Sequence, residues 1–197
     1  MGDPKKNRRK FSRPFKAWDR VRIEEEKELI KEFYFKNKSE IWKLTSKLRK
    51  FARQAKRLIA LKTPQAEKEK LQLLTKLRTL GLISESGGFD EVLGITPKDM
   101  FGRRLQSIVF SKGLAKTMKQ ARQFITHGHI FVDGKKMTAP NYLVPKSKET
   151  LVAFSQNSAL ADSMHPERVQ ETKMPKKPEQ KPEPKKAFHK TVKGKAR

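Results

Sequence analysis

The chain has 197 residues and no cysteine, which excludes disulfides and thiolate metal sites. Its net charge is +26 and only 35% of it is apolar, so the cores are expected to be small and the partner a polyanion. No run approaches the roughly 18 apolar residues that span a bilayer and no apolar signal segment opens the chain, so nucleic acid outranks a membrane surface and a soluble intracellular protein is expected.

Residues 1–22 carry nine Lys and Arg against Asp3 and Asp19, with Phe11, Phe15 and Trp18 interleaved. Cations among aromatic rings suit an extended arm lying on RNA, where bases offer stacking faces. Val21–Phe35 reads as a helix, with Glu24, Glu25, Glu26 and Glu28 near its positive end and Leu29, Ile30, Phe33 and Tyr34 as its apolar side. Asn37 followed by Glu40 reads as a capping box opening a long helix to about Leu61. Its core stripe is Ile41, Leu44, Leu48, Phe51, Ala55 and Leu58. Lys43, Lys47, Arg49, Lys50, Arg53, Lys56 and Arg57 fill the rest of its circumference. No acid lies between Lys43 and Arg57, so a ladder of surface ion pairs does not explain the face and phosphate contact does.

Thr63-Pro64 caps a further helix with Leu73, Leu74, Leu77 and Leu80 as its buried side, ended by Gly81. Ile83–Ile95, with Gly87, Gly88 and Gly94, reads as a loop and a domain boundary. Thr96-Pro97-Lys98-Asp99 opens a helix leading into the stretch that organises the chain, residues 103–154. There Arg103–Lys112 is expected as one short helix, closed at Gly113. Thr117 and Gln120 form a second capping box, opening a helix over Met118–His127. Met118, Ala121, Phe124 and Ile125 share one side of that helix; Lys119, Arg122, Gln123, Thr126 and His127 share the other. Ile130–Val132 alternates as a strand, and Asp133-Gly134 is a hairpin turn, with the return expected at Met137–Thr138. Leu151–Phe154 is a last strand. Beyond it the Lys- and Pro-rich composition predicts an extended chain without a core.

The segment GLAKTMKQARQFITHGHIFVDGKKM, with its A-x-T-x-x-Q-A-R-Q helix start, its H-G-H-I turn and the later Tyr142-Leu143-Val144, resembles the RNA-binding domain of the small-subunit ribosomal protein S-four family. Such domains also occur in some synthetases, pseudouridine synthases and stress proteins, so the segment alone implies binding to structured RNA. The opening Met1-Gly2-Asp3-Pro4-Lys5-Lys6, the basic helical region and the lack of cysteine look like the archaeal form of the ribosomal protein. That resemblance runs from Met1 to about residue 170. It implies early binding to small-subunit rRNA, contacts with neighbouring ribosomal proteins near the messenger entrance, and a cytoplasmic, ribosomal location.

The expected fold class is α+β: an N-terminal helical region plus a small helix-turn-helix and β-hairpin RNA-binding domain, with basic extended tails. The expected divisions are a basic arm at 1–22, a helical rRNA-binding domain at 23–99, an α+β RNA-binding domain at 100–155 and an extension at 156–197. The candidate RNA contacts are Lys43, Lys47, Lys50, Arg53 and Arg57 on the long helix. To these the organising stretch adds Arg103, Arg104, Gln106, Lys116, Thr117, Lys119, Arg122, Gln123, His127 and His129. Guanidinium forks pair with phosphate oxygens, while amides and imidazoles reach sugars and base edges. Arg104 and Arg122 lie off the apolar periodicity, so their loss is expected to weaken RNA binding without unfolding the domain.

His127 and His129 lack the further ligands a metal site needs, and no cofactor, membrane or small-molecule substrate is expected. With no nucleophile turn and no glycine-rich phosphate loop, an enzyme is not expected either. The reading is a structural constituent of the small ribosomal subunit that organises an rRNA junction. The alternatives are a helix-turn-helix DNA-binding regulator, with Thr117–Arg122 in a major groove, and an RNA-modification accessory protein.

Overall fold

The computed structural model describes Gly2, residues 11–162 and residues 165–168. The expectations for the rest of the N-terminal arm and of the C-terminal extension lie outside the described residues.

The long amphipathic helix positions everything else. It is α2 (Lys38–Ala60), and its stripe of Ile41, Leu44, Leu48, Phe51, Ala55 and Leu58 is buried throughout. Around that stripe pack α1 (Arg20–Phe33), α3 (Pro64–Thr79), α4 (Phe89–Gly94) and α5 (Pro97–Gly102). Thr63 caps α3 by accepting the Ala66 N–H at 3.2 Å, and Thr96 and Asp99 form a reciprocal capping box on α5. Phe101 closes this first core, edge-on to Phe33 and Phe35 with ring centroids 5.5 and 5.0 Å away. The described part of the arm lies along α2: the Ser12 N–H donates to Ser46 Oγ at 3.1 Å, and Phe11 sits beside Trp42.

Three local expectations are corrected here. The α1 helix starts at Arg20, so its first turn holds no acid, and Glu24 and Glu26 serve instead as partners of Arg20 and Arg22. Asn37 makes no side-chain cap: the Glu40 N–H donates to the Asn37 backbone carbonyl at 3.0 Å, and the Glu40 carboxylate, the other half of a capping box, is taken up in ion pairs. The stretch 83–95 is not all loop. It contains α4, which buries Val92 against α2.

The second core belongs to α6 (Leu105–Ser111), α7 (Met118–Thr126) and a three-stranded antiparallel sheet of β1 (Ile130–Val132), β2 (Lys135–Lys136) and β3 (Val152–Phe154), in the order β2-β1-β3. A short α8 (Lys146–Glu149) and a 3-10 turn (Ala159–Ala161) complete it. Together with the first core this is an α+β chain, as expected. The α6 helix is shorter than its sequence implied. Arg103 and Arg104 link α5 to α6, and Arg104, in extended backbone, makes a β-bridge with Leu143.

The start of α7 follows the sequence closely. Thr117 Oγ1 accepts the Gln120 N–H at 3.2 Å, while Gln120 Oε1 reaches one residue further back to the Lys116 N–H at 2.7 Å. Asp133 (φ 54°) and Gly134 (φ 70°) both take the left-handed conformation that a two-residue hairpin requires. With so tight a turn, pairing resumes at once, Val132 opposite Lys135. The return strand is therefore Lys135–Lys136 rather than Met137–Thr138, although the Met137 N–H still donates to the Ile130 carbonyl at 3.1 Å.

Candidate nucleic-acid interface

Three charged side chains join the two cores. Glu40, near the start of α2, accepts from Arg122 of α7 at 2.8 Å and from Arg104 at 3.3 Å. The Arg104 side chain is fully buried, stacked over the Phe35 ring at 4.2 Å, and donates a further bond to Gln106 Oε1 at 3.1 Å. Burial lowers its pKa to about 10; the Glu40 charge opposes that shift and Arg122 adds to it. Gln106 Nε2 in turn donates to the Met118 carbonyl at 2.8 Å and, more weakly, to the Tyr34 carbonyl at 3.5 Å.

This geometry corrects two expected RNA contacts. Arg104 and Gln106 are both buried and cannot reach a phosphate. Periodicity had placed Arg104 off the apolar face, but the side chain is covered by α2 and Phe35, which approach from elsewhere in the chain. Its role is to hold the α2, α6 and α7 segments together. Arg103 is mostly buried too, pairing with Glu149 at 2.7 Å and with the Val144 carbonyl at 3.0 Å. Arg122 keeps 18% of its side chain exposed beside its bond to Glu40.

The remaining candidates lie where a polyanion can reach them. Lys43, Lys47, Lys50, Arg53 and Arg57 are exposed along α2. Burial of its stem, with Lys76 nearby, lowers the Lys47 ammonium below its ordinary pKa. Lys119, Gln123 and His127 are exposed on α7, and His129 is half-buried with its Nδ1 2.8 Å from Ser158 Oγ. Lys116 and Thr117 are exposed at the head of α7. There residues 166–167 come across: Lys116 Nζ donates to the Pro166 carbonyl at 3.0 Å and Gln120 Nε2 to the Glu167 carbonyl at 2.9 Å. The sequence reading missed Tyr34 and Lys36, which share a cavity with α7. No local pattern relates them to residues more than eighty positions away.

A family model described as the S4 domain matches residues 103–149. The small ribosomal subunit protein uS4 of Methanococcus aeolicus is 45% identical to this chain over 174 residues, covering 88% of this chain and 98% of that protein. The chain belongs to the uS4 family. The uS4 proteins of Methanococcus maripaludis and Ignicoccus hospitalis are 44% and 42% identical, over 87% and 80% of this chain and 97% and 95% of their own. These relatives are archaeal, in keeping with the basic N-terminal region and the absence of cysteine. The S4-domain match spans α6, α7 and the hairpin, and its first residue is Arg103, at the seam between the two cores. Among the described residues no helix is long and apolar enough to cross a membrane.

Proposed function

We propose that this chain is a structural, non-enzymatic constituent of the small ribosomal subunit that binds small-subunit rRNA early in assembly and fixes the shape of an RNA junction beside neighbouring ribosomal proteins. The observation that carries this reading is the Glu40–Arg104–Arg122 cluster, which ties two cationic helix faces to one another. The α2 face presents Lys43, Lys47, Lys50, Arg53 and Arg57, and the α7 face presents Lys119 and Gln123. Two faces held at a fixed relation neutralise phosphates on separate RNA strands at once, and only an RNA folded to match satisfies both. A major-groove reader would lead with the N-terminal end of α7, which residues 166–167 partly cover.

The test is a salt titration of binding to small-subunit rRNA, with duplex DNA and transfer RNA as competitors. With about 6–10 phosphate contacts, affinity falls on the order of 10³–10⁵ between 50 and 200 mM salt. Retained preference for the rRNA across that range supports the reading. Equal competition by duplex DNA overturns it.

A further inference from the structure

We propose that the cavity between the end of α1 and the outer face of α7 receives a single nucleotide base extruded from the bound RNA, stacked on Tyr34. This deepens the rRNA-binding reading and rests on it.

The cavity has a volume of ≈ 670 Å³, in the range usual for small-ligand sites. Its apolar lining is Ile30, Tyr34 and Phe35; Phe35 is buried under Arg104, which leaves the exposed Tyr34 as the aromatic residue available to a base. Gln123 supplies an exposed amide, able both to donate to and to accept from a base edge. Lys31, Lys36 and Lys119 line it and make no ion pair among the described residues, which leaves three ammonium groups for the flanking phosphates. Among the described residues no acidic side chain lines it. An apolar slot with an amide and three unpaired lysines matches a nucleotide, whose flat base and charged phosphate need opposite surroundings.

Two further observations separate this cavity from a chance gap. Bonds behind it hold its α7 side in place: Gln106 donates to the Met118 carbonyl at 2.8 Å and weakly to the Tyr34 carbonyl at 3.5 Å, and Arg122 is held by Glu40. Tyr34 itself is strained, with φ 48° and ψ 55° at the end of α1, a left-handed conformation that a bulky residue rarely adopts. Such outliers gather at ligand sites. Glycine or asparagine would end the helix there with less strain, yet a tyrosine stands there, lining the cavity with 39% of its surface exposed.

That same strain makes the test clean, because Tyr34→Gly and Tyr34→Asn remove the ring while suiting the backbone. The full chain is bound to small-subunit rRNA and irradiated with short-wave ultraviolet light, and the adducts are mapped by mass spectrometry. Affinity and salt dependence are measured in parallel for both variants and for Tyr34→Phe, with thermal melts confirming that each is folded. One nucleotide is expected to crosslink at Tyr34 in the parent chain. Loss of the stacking ring is expected to weaken binding about 5- to 150-fold in the Gly and Asn variants, with the salt slope unchanged, while Phe restores affinity. Parental affinity in both ring-less variants, with a steep salt slope intact, overturns the base pocket and leaves rRNA binding standing. A Tyr34 adduct to a neighbouring protein in the assembled subunit, and none to RNA, overturns it in favour of a protein side chain. Failure of the parent chain itself to prefer rRNA over duplex DNA sinks the underlying reading instead.

Discussion

Glu40 of α2 and Arg122 of α7 meet across 82 residues of chain, Arg122 Nη2 donating to Glu40 Oε1 at 2.8 Å and Nη1 to Oε2 at 3.3 Å. The same carboxylate is the acidic partner of the buried Arg104. Removing it therefore strands one fully buried guanidinium and frees a second. Losing one side of a buried pair costs about 3–5 kcal/mol, since the remaining charge keeps its desolvation penalty without compensation. Glu40→Ala is expected to lower stability by about that amount in urea unfolding. A loss below about 1 kcal/mol would mean that the cluster behaves as a surface pair and does not join the cores.

Arg104→Met should behave differently from Glu40→Ala. Glu40 keeps Arg122 as a partner, and an apolar side chain of similar length can occupy the space over Phe35. The expected order of stability is parent, then Arg104→Met, then Glu40→Ala. Because Arg104 reaches no solvent, the slope of rRNA affinity against salt should not change in Arg104→Met. A shallower slope would return Arg104 to the RNA face.

Features that depend on neighbours in sequence were legible: the buried stripe of α2, the Thr63 and Thr117 caps, and the Asp133-Gly134 turn. Those that depend on segments meeting in space were not. Glu40 stands three residues after Asn37, the spacing of a capping box, and only the approach of Arg104 and Arg122 from 64 and 82 residues away shows what claims it. The α4 helix was hidden because Gly87, Gly88 and Gly94 dominate its stretch. The spacing of Phe89, Val92 and Leu93 was the available signal, one turn of an apolar face. Charge alone does not distinguish an exposed cation from a buried one. Arg104 and Lys119 look alike in the sequence, and only packing separates them.

The acid sensitivity of the α1–α2 contact follows from Glu26. Burial pushes its carboxyl up, but bonds from the Trp42 indole, Arg22 and Lys38 outweigh burial and leave its pKa below the ordinary 4.5. A carboxylate depressed in the folded state adds stability that is complete above its unfolded value and is lost as pH falls through its folded value. Glu26→Gln should therefore be less stable than the parent at neutral pH, with the gap closing once the solution falls below about pH 4. Thermal melts across that range check it. In a Trp18→Phe background, Trp42 fluorescence gives a local reading, since its Nε1–H donates to Glu26 Oε1 at 2.8 Å. A constant gap at every pH would show that size, not charge, matters at this position.

Gly128 lies between α7 and β1 with φ 79°, and a Cβ there would meet the end of the Lys136 side chain. Lys136 is exposed and can swing aside, so the lasting penalty of Gly128→Ala is the left-handed backbone, about 1–2 kcal/mol. Chemical unfolding measures it directly. An unchanged midpoint would mean that the chain relaxes here into another turn, and His127 and His129, on either side, would then lose their present relation (ring centroids 6.2 Å apart).

The two cationic faces make a prediction that separates phosphate contact from mere solvation. Each lysine or arginine that neutralises a phosphate releases one counterion, so its replacement by alanine lowers the salt slope by about 1 and weakens binding to every RNA sequence alike. Lys119→Ala on α7 and Arg53→Ala on α2 are both expected to do this. The two residues are exposed on different helices, so their effects on the slope should add in the double variant. An RNA seated on both faces at once requires that additivity. If Lys119→Ala lowers the slope and Arg53→Ala leaves it unchanged, the α2 face is a solvated surface and the RNA is held by α7 and its surroundings alone.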